Sequence, residues 1–498
     1  MGGNLFGTLW ARWADRLDAP ALDVPGGATW TYRRLADRSA AMAAAMGELG
    51  VGIGDRVVVQ VDKSPDAVAL YLACLRTGAV HLPLNTAYTR PEVGFFVDDA
   101  EPALVVARPD TLGDLDVPVN GLGTAGDGSF AEATSAATPL AQVVERQDDD
   151  LAAMLYTSGT TGRSKGAMLT HGNLRSNAQA LFEIWGFGPD DVLLHTLPVF
   201  HVHGLFVALH CAMLGGNQII FLPRFEVDDV IANLPRATVM MGVPTQYVRL
   251  LDDDRFDAAT CADIRLFTSG SAPMTEGVHA AFTERTGHRI LERYGMTEAG
   301  MITSNPYDGE RIPGTVGFPL PDVELRIADD DGVPLPHGRT GVVEIRSPGL
   351  FAGYWRLPDK TAAEFRDDGW FITGDVGSVD DEGRLTLQGR SGDMIISGGY
   401  NIYPKEIELV IDEVDGVVES AVIGVPHHDF GEAVVAVVVP AEATADHVAL
   451  EEAIGAALEG QLARFKHPKR YVFVHDLPRN AMAKVQKATL RGDHAELF

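Results

Sequence analysis

The chain has 498 residues, with 40 Lys and Arg against 69 Asp and Glu, and a formal net charge of −29. That length predicts two to four folding units rather than one core, and the apolar content of 46% excludes global disorder. The acidic balance argues against a general nucleic-acid-binding protein, because phosphate contacts require clustered Lys and Arg.

The cysteines Cys74, Cys211 and Cys261 are far apart and form no CxxC pair. This pattern is typical of a reducing compartment and predicts neither a disulfide framework nor a zinc site. The N-terminus lacks the basic and apolar regions of a signal peptide. The most apolar stretch, 205–214, contains His210 and is too short to cross a bilayer. We expect a soluble cytoplasmic protein with no membrane partner.

The first part of the chain alternates between helical and extended patterns. Residues 29–50 predict a helix that ends at Gly50, 56–61 a buried strand, and a second helix follows with Ser64 as its N-cap. Short apolar strands recur between helical stretches and predict α/β layers with a largely parallel sheet. These strands are predicted at 104–107, 194–198, 218–223, 238–244 and 264–273. Residues 109–150 are polar and turn-rich, and we expect them at the surface.

From about Val323 the pattern changes to short antiparallel strands with Gly and Asp turns. After Arg390 comes another mixed segment, with two β-rich runs and a helix around 447–462. Four of the eight lysines, Lys466, Lys469, Lys484 and Lys487, lie in the last 33 residues. The C-terminal end is therefore locally basic on an acidic protein.

Residues 156–166, YTSGTTGRSKG, form the strongest local motif. A turn rich in Gly, Ser and Thr between two apolar runs offers backbone N–H groups and hydroxyls to phosphate oxygens. It is not a Walker A loop, because Ser164 stands where that motif needs Gly before the lysine. An ordinary Gly-rich hairpin is the alternative, but the composition favours a polyanion site.

This segment resembles the phosphate loop of the adenylate-forming enzymes, which include acyl-CoA synthetases, peptide-synthetase adenylation domains and firefly luciferase. Six further motifs follow in the order typical of that family, at 197–204, 269–273, 294–298, 369–375, 389–390 and 479–484. The resemblance implies an AMP- and acyl-binding N-terminal domain, 1–390, of layered α/β subdomains plus a β-rich part. It also implies a small, mobile α+β C-terminal domain, 391–498.

The resemblance assigns the ATP site residue by residue. Those expected to contact ATP or AMP are Thr157, Ser158, Gly159, Thr160, Thr161, Gly162, Lys165, Ser271, Ala272, Pro273, Tyr294, Gly295, Thr297, Asp375 and Arg390. Thr160 and Glu298 are expected to hold Mg²⁺, which prefers one or two carboxylates plus phosphate oxygens. The alternatives are a surface carboxylate for Glu298 and an Asx-turn for Asp375.

Lys484 matches the family's adenylation lysine, whose charge would stabilise the negative charge that develops at the α-phosphate. Gly398, Gly399 and Tyr400 match the loop that contacts coenzyme A. Two positions depart from the family pattern: Ala483 replaces the usual Gly before the lysine, and Gly392 replaces an Asp or Lys near the domain junction. If position 483 needs a positive φ, alanine costs about 1 kcal/mol there.

His201 and His203 lie two residues apart, but no third metal ligand is evident, so the pair does not predict a metal site. The resemblance implies that His201 is a catalytic residue that gates the passage between the acyl site and the thiol tunnel.

Arg293 precedes the YGMTE motif at a position that is usually small in the family and faces the acyl pocket. A buried guanidinium needs an anionic partner. That partner is either a protein carboxylate such as Glu292 or the free carboxylate of a dicarboxylic substrate. The remaining residues expected at the acid are Val202, His203, Ser269 and Met301.

Three segments resemble the malonate-activating members of the family: 292–298, 303–321 and 200–210. The resemblance implies a ligase that uses ATP, Mg²⁺ and coenzyme A to convert malonate into its thioester. Because a pocket walled by Val202 and Met301 should tolerate one extra methyl group, we expect methylmalonate as a second substrate. A monocarboxylate synthetase and a catalytically weak nucleotide-binding relative remain as alternatives. No nucleic-acid partner is expected.

Overall fold

The computed structural model describes residues 3–109, 111, 113, 115–157, 164–397, 400–427, 430–442, 446–462, 464–480 and 484–498. At residues 400, 401 and 460 it describes the backbone alone.

The strands are β1 (Pro20–Asp23), β2 (Thr29–Thr31), β3 (Arg56–Gln60), β4 (Val80–Pro83), β5 (Leu104–Ala107), β6 (Val119–Gly121), β7 (Leu151–Thr157), β8 (Lys165–Thr170), β9 (Val192–His195), β10 (Gln218–Phe221), β11 (Val239–Gly242), β12 (Leu266–Ser269), β13 (Leu291–Met296), β14 (Gly300–Ser304), β15 (Phe318–Pro319), β16 (Glu324–Ala328), β17 (Gly341–Arg346), β18 (Gly353–Tyr354), β19 (Phe371–Val379), β20 (Leu385–Arg390), β21 (Ile395–Ser397), β22 (Tyr400–Ile402), β23 (Val417–His427), β24 (Gly431–Pro440) and β25 (Arg470–Phe473).

The α-helices are α1 (Leu5–Trp13), α2 (Tyr32–Glu48), α3 (Pro65–Thr77), α4 (Arg90–Ala100), α5 (Ser129–Ala136), α6 (His171–Ile184), α7 (His210–Gly215), α8 (Val227–Asn233), α9 (Pro244–Leu251), α10 (Glu276–Thr286), α11 (Pro358–Ala363), α12 (Pro404–Asp412), α13 (His447–Gln461) and α14 (Lys487–Asp493). A π-helix spans His203–Leu209, and short 3₁₀ turns span Leu234–Arg236, Ser391–Asp393 and Arg464–Lys466.

Two large mixed sheets form the N-terminal part of the protein. The first has the strand order β15-β14-β13-β12-β11-β9-β10-β1-β2, and the pairs from β1 to β13 through β10, β9, β11 and β12 are parallel. The second has the order β18-β8-β7-β4-β3-β5-β6, with parallel pairing from β6 to β7. Their central strands are short apolar runs because both faces are covered.

A shared hydrophobic core joins the two sheets, with Val57 and Val106 from one sheet and Leu193 and Met241 from the other. Helix α3 lies within this core and begins as predicted, since the Ser64 side chain accepts a hydrogen bond from the Ala67 N–H. The mixed α/β class expected from the sequence is confirmed.

The β-rich part follows as predicted, as the antiparallel sheet β16-β17-β19-β20. Its fully buried Glu344 is paired with Arg326 and Arg366. Beyond Arg390, the C-terminal part contains the sheet β22-β21-β24-β23 with β25 parallel to β24. Separate apolar clusters cover the two faces of this sheet.

Two details of the sequence interpretation need correction. Residues 29–31 pair with β1 as β2, so helix α2 begins at Tyr32 and not at Thr29. The polar span 109–150 is not purely surface, because it contains β6 and α5, and Phe130 of α5 is fully buried. Within the described part of the chain, no helix is long and apolar enough to span a bilayer.

Candidate active site

A row of side chains crosses the carboxyl ends of the parallel strands in the first sheet. Register places Phe221 opposite His195, His195 opposite Met241, and Met241 opposite Thr268. Thr268 pairs with Leu291, and Arg293 lies two residues further along β13, on the same face. Ligands of parallel α/β sheets commonly bind at this edge.

Arg293 is buried, with 3% of its surface exposed, and its Nε and Nη2 atoms have no hydrogen-bond partner among the described residues. The guanidinium lies directly over Gly270, where an added Cβ would be 2.4 Å from Nη1. Burial lowers the pKa of Arg293 to about 10, so it remains charged near neutral pH. A buried cation with two free donors is a site for an anion.

Glu292 is not the partner of Arg293. It is in register with Ser269, so its side chain lies on the opposite face of the sheet. There it accepts a hydrogen bond from the Gly314 N–H at 3.2 Å, and burial raises its pKa to about 7. No ion pair of Arg293 is found in the part of the chain that the structure describes.

The histidines of the HVHG motif are uncharged and lie next to this cation. The His203 Nδ1 atom is 3.3 Å from the Ser271 hydroxyl, and its Nε2 atom is a buried polar atom without a partner in the described residues. Burial lowers the pKa of His201 to about 3 and that of His203 well below its usual range, with Arg293 contributing in both cases. No described residues form a group of three or more His, Cys, Asp or Glu side chains that could hold a metal ion.

Asp375 brings two predicted nucleotide-binding residues together. It accepts a hydrogen bond from the Tyr294 hydroxyl at 2.5 Å through Oδ2 and forms an ion pair with Arg390 Nε at 2.9 Å through Oδ1. Asp375 and Arg390 face each other across β19 and β20, close to the end of the N-terminal part. Ser271 adopts φ +68°, a strained conformation for a residue with a side chain, and Ala272 and Pro273 after it are exposed.

Lys484 reaches the same cleft from the C-terminal part. Its backbone N–H donates to the Asn480 side chain at 3.0 Å, and Arg479 pairs with Val485 in an isolated antiparallel bridge. The Lys484 side chain is exposed to solvent at its surface. Nearby protein atoms still displace part of the water around its ammonium group, and this desolvation lowers its pKa. The positive charges of Arg390 and Arg293 lower it further. Asp375 and Glu298 act on it in the opposite direction. The charge of Lys484 is therefore close enough to interact with the nucleotide residues and with Arg293.

Comparison with known proteins now identifies the family. Residues 9–355 match the family described as AMP-binding enzyme, and residues 406–484 match the AMP-binding enzyme C-terminal domain. The chain belongs to the AMP-binding enzymes. It is 35% identical to malonate–CoA ligase of Arabidopsis thaliana, over 88% of this chain and 78% of the relative. It is also 35% identical to the mitochondrial malonate–CoA ligase ACSF3 of Mus musculus, over 92% and 86%.

Solved structures agree with this assignment. ATP-bound MatB from Rhodopseudomonas palustris is 49% identical, covers 100% of both chains and superposes with a TM-score of 0.94. Apo MatB has the same identity and coverage but a TM-score of 0.84. This AMP-binding enzyme therefore superposes more closely on the ATP-bound form than on the apo form. The protein is an AMP-forming acid–thiol ligase, an adenylate-forming CoA ligase that acts on small molecules.

The phosphate end of the cleft is described only in part, because Ser158, Gly159, Thr160, Thr161 and Gly162 lie outside the described residues. At its borders, the Thr157 hydroxyl donates to Glu298 at 3.3 Å, and Lys165 forms an ion pair with Glu364 at 3.3 Å. Glu298 is 6% exposed, and no cation is paired with it among the side chains that the structure describes. A buried carboxylate without a cationic partner fits Mg²⁺ held jointly with phosphate oxygens.

The remaining predicted site residues form no hydrogen bond or ion pair with Arg293 or Asp375 in the part of the chain that the structure describes. Gly398 and Gly399 lie outside the described residues, and Tyr400 begins β22. Val202 and Met301 are buried in the core that borders the cleft. Ser269 is buried on the face of Glu292, away from Arg293. Gly295 and Thr297 lie in the β13–β14 hairpin beside Tyr294.

The sequence interpretation missed three polar residues of the site. Thr268 is buried on the Arg293 face, and its hydroxyl has no partner in the described part of the structure. Side chains alternate between the two faces of a strand, and the register of β12 and β13 puts Thr268, not Ser269, on the same face as Arg293. The sequence alone does not give this register. Tyr354 and Glu364 join Lys165 and Glu298, but no local pattern marks them because their partners are distant in sequence.

Proposed function

We propose that this enzyme activates malonate, with methylmalonate as a second substrate, to its adenylate and then to its CoA thioester. Arg293 carries this proposal. Its two unpartnered donors on one side of a buried guanidinium match the two oxygens of a distal carboxylate. A monocarboxylic acid would leave that buried charge unpaired, and Glu292 lies on the wrong face to replace it.

In the first half-reaction, the proximal carboxylate of the acid attacks the α-phosphorus of ATP and pyrophosphate leaves. The distal carboxylate, held by Arg293, fixes which end of the acid reacts. Lys484 would stabilise the negative charge that develops on the α-phosphate and on the attacking oxygen. Glu298 and Thr160 would hold Mg²⁺, which neutralises phosphate charge when it is bound.

The nucleotide would lie across the centre of the cleft. Asp375 and Arg390 would bind the ribose hydroxyls, while Tyr294 and the loop 271–273 would enclose the adenine ring. The position of Asp375, with contacts to both Tyr294 and Arg390, supports a shared site.

In the second half-reaction, the coenzyme A thiol loses its proton to solvent, its sulfur attacks the acyl carbonyl carbon, and AMP leaves with the bonding electron pair. Gly398, Gly399 and Tyr400 would contact coenzyme A, and His201 would gate the thiol passage. The boundary between 1–390 and 391–498 remains a prediction. The mobile part would have to turn, since Lys484 and the loop 398–400 belong to the same small domain. Its cytoplasmic location also remains a prediction.

Methylmalonate is proposed because Val202 and Met301, both buried, would form the apolar side of the site, and one extra methyl changes binding there by only about 1–3 kcal/mol. The alternative is a short-chain monocarboxylate ligase. A catalytically weak relative is disfavoured by the presence of Lys484, Glu298 and Asp375 in one cleft.

The test is a substrate panel monitored by pyrophosphate and AMP release. Malonate and methylmalonate are compared with butyrate and with the monomethyl ester of malonate, which has the right length but no distal charge. We expect kcat/KM for malonate to exceed that for the ester by roughly 30-fold to several thousand-fold, the effect of about 2–5 kcal/mol. Equal activity with the ester or butyrate would refute the proposal.

A further inference from the structure

Tyr354 lies between two carboxylates at the phosphate end of the cleft. Its hydroxyl is 2.7 Å from Glu364 Oε2 and 3.0 Å from Glu298 Oε1. The residue is 3% exposed, and its strand β18 pairs with β8, which follows the phosphate loop. It therefore connects the loop with the carboxylate expected at the metal.

The hydroxyl has one proton and cannot donate fully to both carboxylates. The shorter contact is to Glu364, which also has two lysine partners, Lys165 at 3.3 Å and Lys360 at 3.0 Å. Glu298 accepts the longer hydrogen bond from Tyr354, at 3.0 Å, and a long hydrogen bond from the Thr157 hydroxyl, at 3.3 Å. Glu298 is thus a fixed carboxylate with unused acceptor capacity, which a divalent cation satisfies.

The aromatic ring of Tyr354 has a separate role. Lys165 Nζ lies 4.3 Å from its centroid, and Phe351 packs edge-on at 4.8 Å. These contacts do not involve the hydroxyl, so phenylalanine at this position retains them.

We propose that Tyr354 is a positioning residue for Mg²⁺-bound ATP. Its hydroxyl holds the Glu298 carboxylate in the orientation that receives the cation and links it, through Glu364, to Lys165 at the end of the phosphate loop. The residue acts through Glu298 and touches neither the acid nor the α-phosphate.

The test measures binding rather than turnover. Affinity for α,β-methylene ATP, which cannot be cleaved between the α- and β-phosphorus atoms, is measured by calorimetry with Mg²⁺ and with EDTA. The affinity with Mg²⁺ divided by the affinity with EDTA is the factor by which the metal strengthens nucleotide binding, here called the gain. Loss of a partner that orients a metal ligand typically weakens metal binding by roughly 10–100-fold, so we expect Tyr354→Phe to reduce this gain by that amount. Affinity in EDTA should not change.

Tyr32→Phe is the matched control. It also removes one buried tyrosine hydroxyl, which bonds to the Asn217 carbonyl at 2.7 Å, but it lies outside the cleft. This variant should keep the parent gain. An unchanged gain in Tyr354→Phe, or an equal loss with and without Mg²⁺, would overturn the proposal, because a purely structural role affects both conditions alike.

Glu364→Gln provides a second variant if Tyr354→Phe does not fold. The neutral amide binds the tyrosine hydroxyl less strongly than the carboxylate does, so the hydroxyl is held less firmly and orients Glu298 less well. The gain from Mg²⁺ should then fall. A gain equal to that of the parent would contradict the proposed link. Neither measurement depends on which acid the enzyme activates.

Discussion

Replacing Arg293 with methionine should affect stability and activity in opposite directions. In the unliganded protein, burial lowers the pKa of this side chain from 12.5 to about 10. The charged form is thus disfavoured in the folded state by roughly 3 kcal/mol, at about 1.4 kcal/mol for each pKa unit. Methionine has a similar length and no charge. Arg293→Met should therefore raise the free energy of unfolding, by up to about that amount.

The activity with malonate should fall, because the variant lacks the two guanidinium N–H groups that would bind the distal carboxylate. Truncating one partner of a buried charged pair costs about 2–5 kcal/mol, which corresponds to roughly 30-fold to several thousand-fold in kcat/KM for malonate. Butyrate should improve relative to malonate, since the pocket becomes apolar. Affinity for ATP should remain nearly unchanged, because Arg293 faces the acyl end.

The assays are thermal unfolding without ligands and pyrophosphate release with malonate and butyrate. Arg265→Met is the control, since Arg265 is partly buried and, unlike Arg293, forms two hydrogen bonds with Asp191, both at 2.7 Å. That variant should lower stability, as it leaves a buried carboxylate unpaired. If Arg293→Met lowers stability as Arg265→Met does and reduces both acids in proportion, Arg293 is an internal structural cation and the reasoning is wrong.

Further predictions concern the moving domain and the pH dependence of stability. Lys484→Ala should reduce adenylate formation by roughly 10²–10³-fold while sparing thioester formation from supplied acyl-adenylate, and equal loss in both single-turnover assays would contradict this. Glu413 accepts a hydrogen bond from the Gly277 N–H at 3.1 Å, across the two parts of the chain. Glu413→Ala should slow adenylation but not the thioester step, since this contact belongs to the ATP-type arrangement; an unchanged ratio of the two rates would count against it. The raised pKa of Glu292 means that the folded state binds its proton more tightly than the unfolded state, so stability falls as pH rises from about 4.5 to 7. Glu292→Gln should remove up to roughly 3 kcal/mol of that decline, and an identical pH dependence in both proteins would refute the assignment.

The parts of the site that lie within one motif could be predicted from the sequence. Arg293 stands beside a recognisable turn, and its type alone indicates an anionic partner. Whether that partner was Glu292 could not be decided before the register of β12 and β13 was known, since it places the two side chains on opposite faces.

The parts that depend on tertiary pairing could not be predicted. Lys165 and Glu364 are 199 residues apart, and Tyr354 and Glu298 are 56 apart. Each side chain has an ordinary local context, and only the pairing of β8 with β18 brings them together. For the same reason, residues 29–31 were expected in a helix: their pairing with β1 outweighs local propensity.

The buried histidines around the acyl end give the pocket a constant charge. Burial lowers the pKa of each one, to about 3 for His201 and well below the usual range for the other two, and the set is His195, His201 and His203. None of them changes protonation between mildly acidic and mildly alkaline solution. With Glu292 replaced by glutamine, a titration seen in kcat/KM across that interval would report the ionisation of the acid, of the thiol or of Lys484, whose pKa is lowered. A pH–rate profile of the thioester step from supplied acyl-adenylate, which does not depend on Lys484, would then separate the thiol from the other two groups.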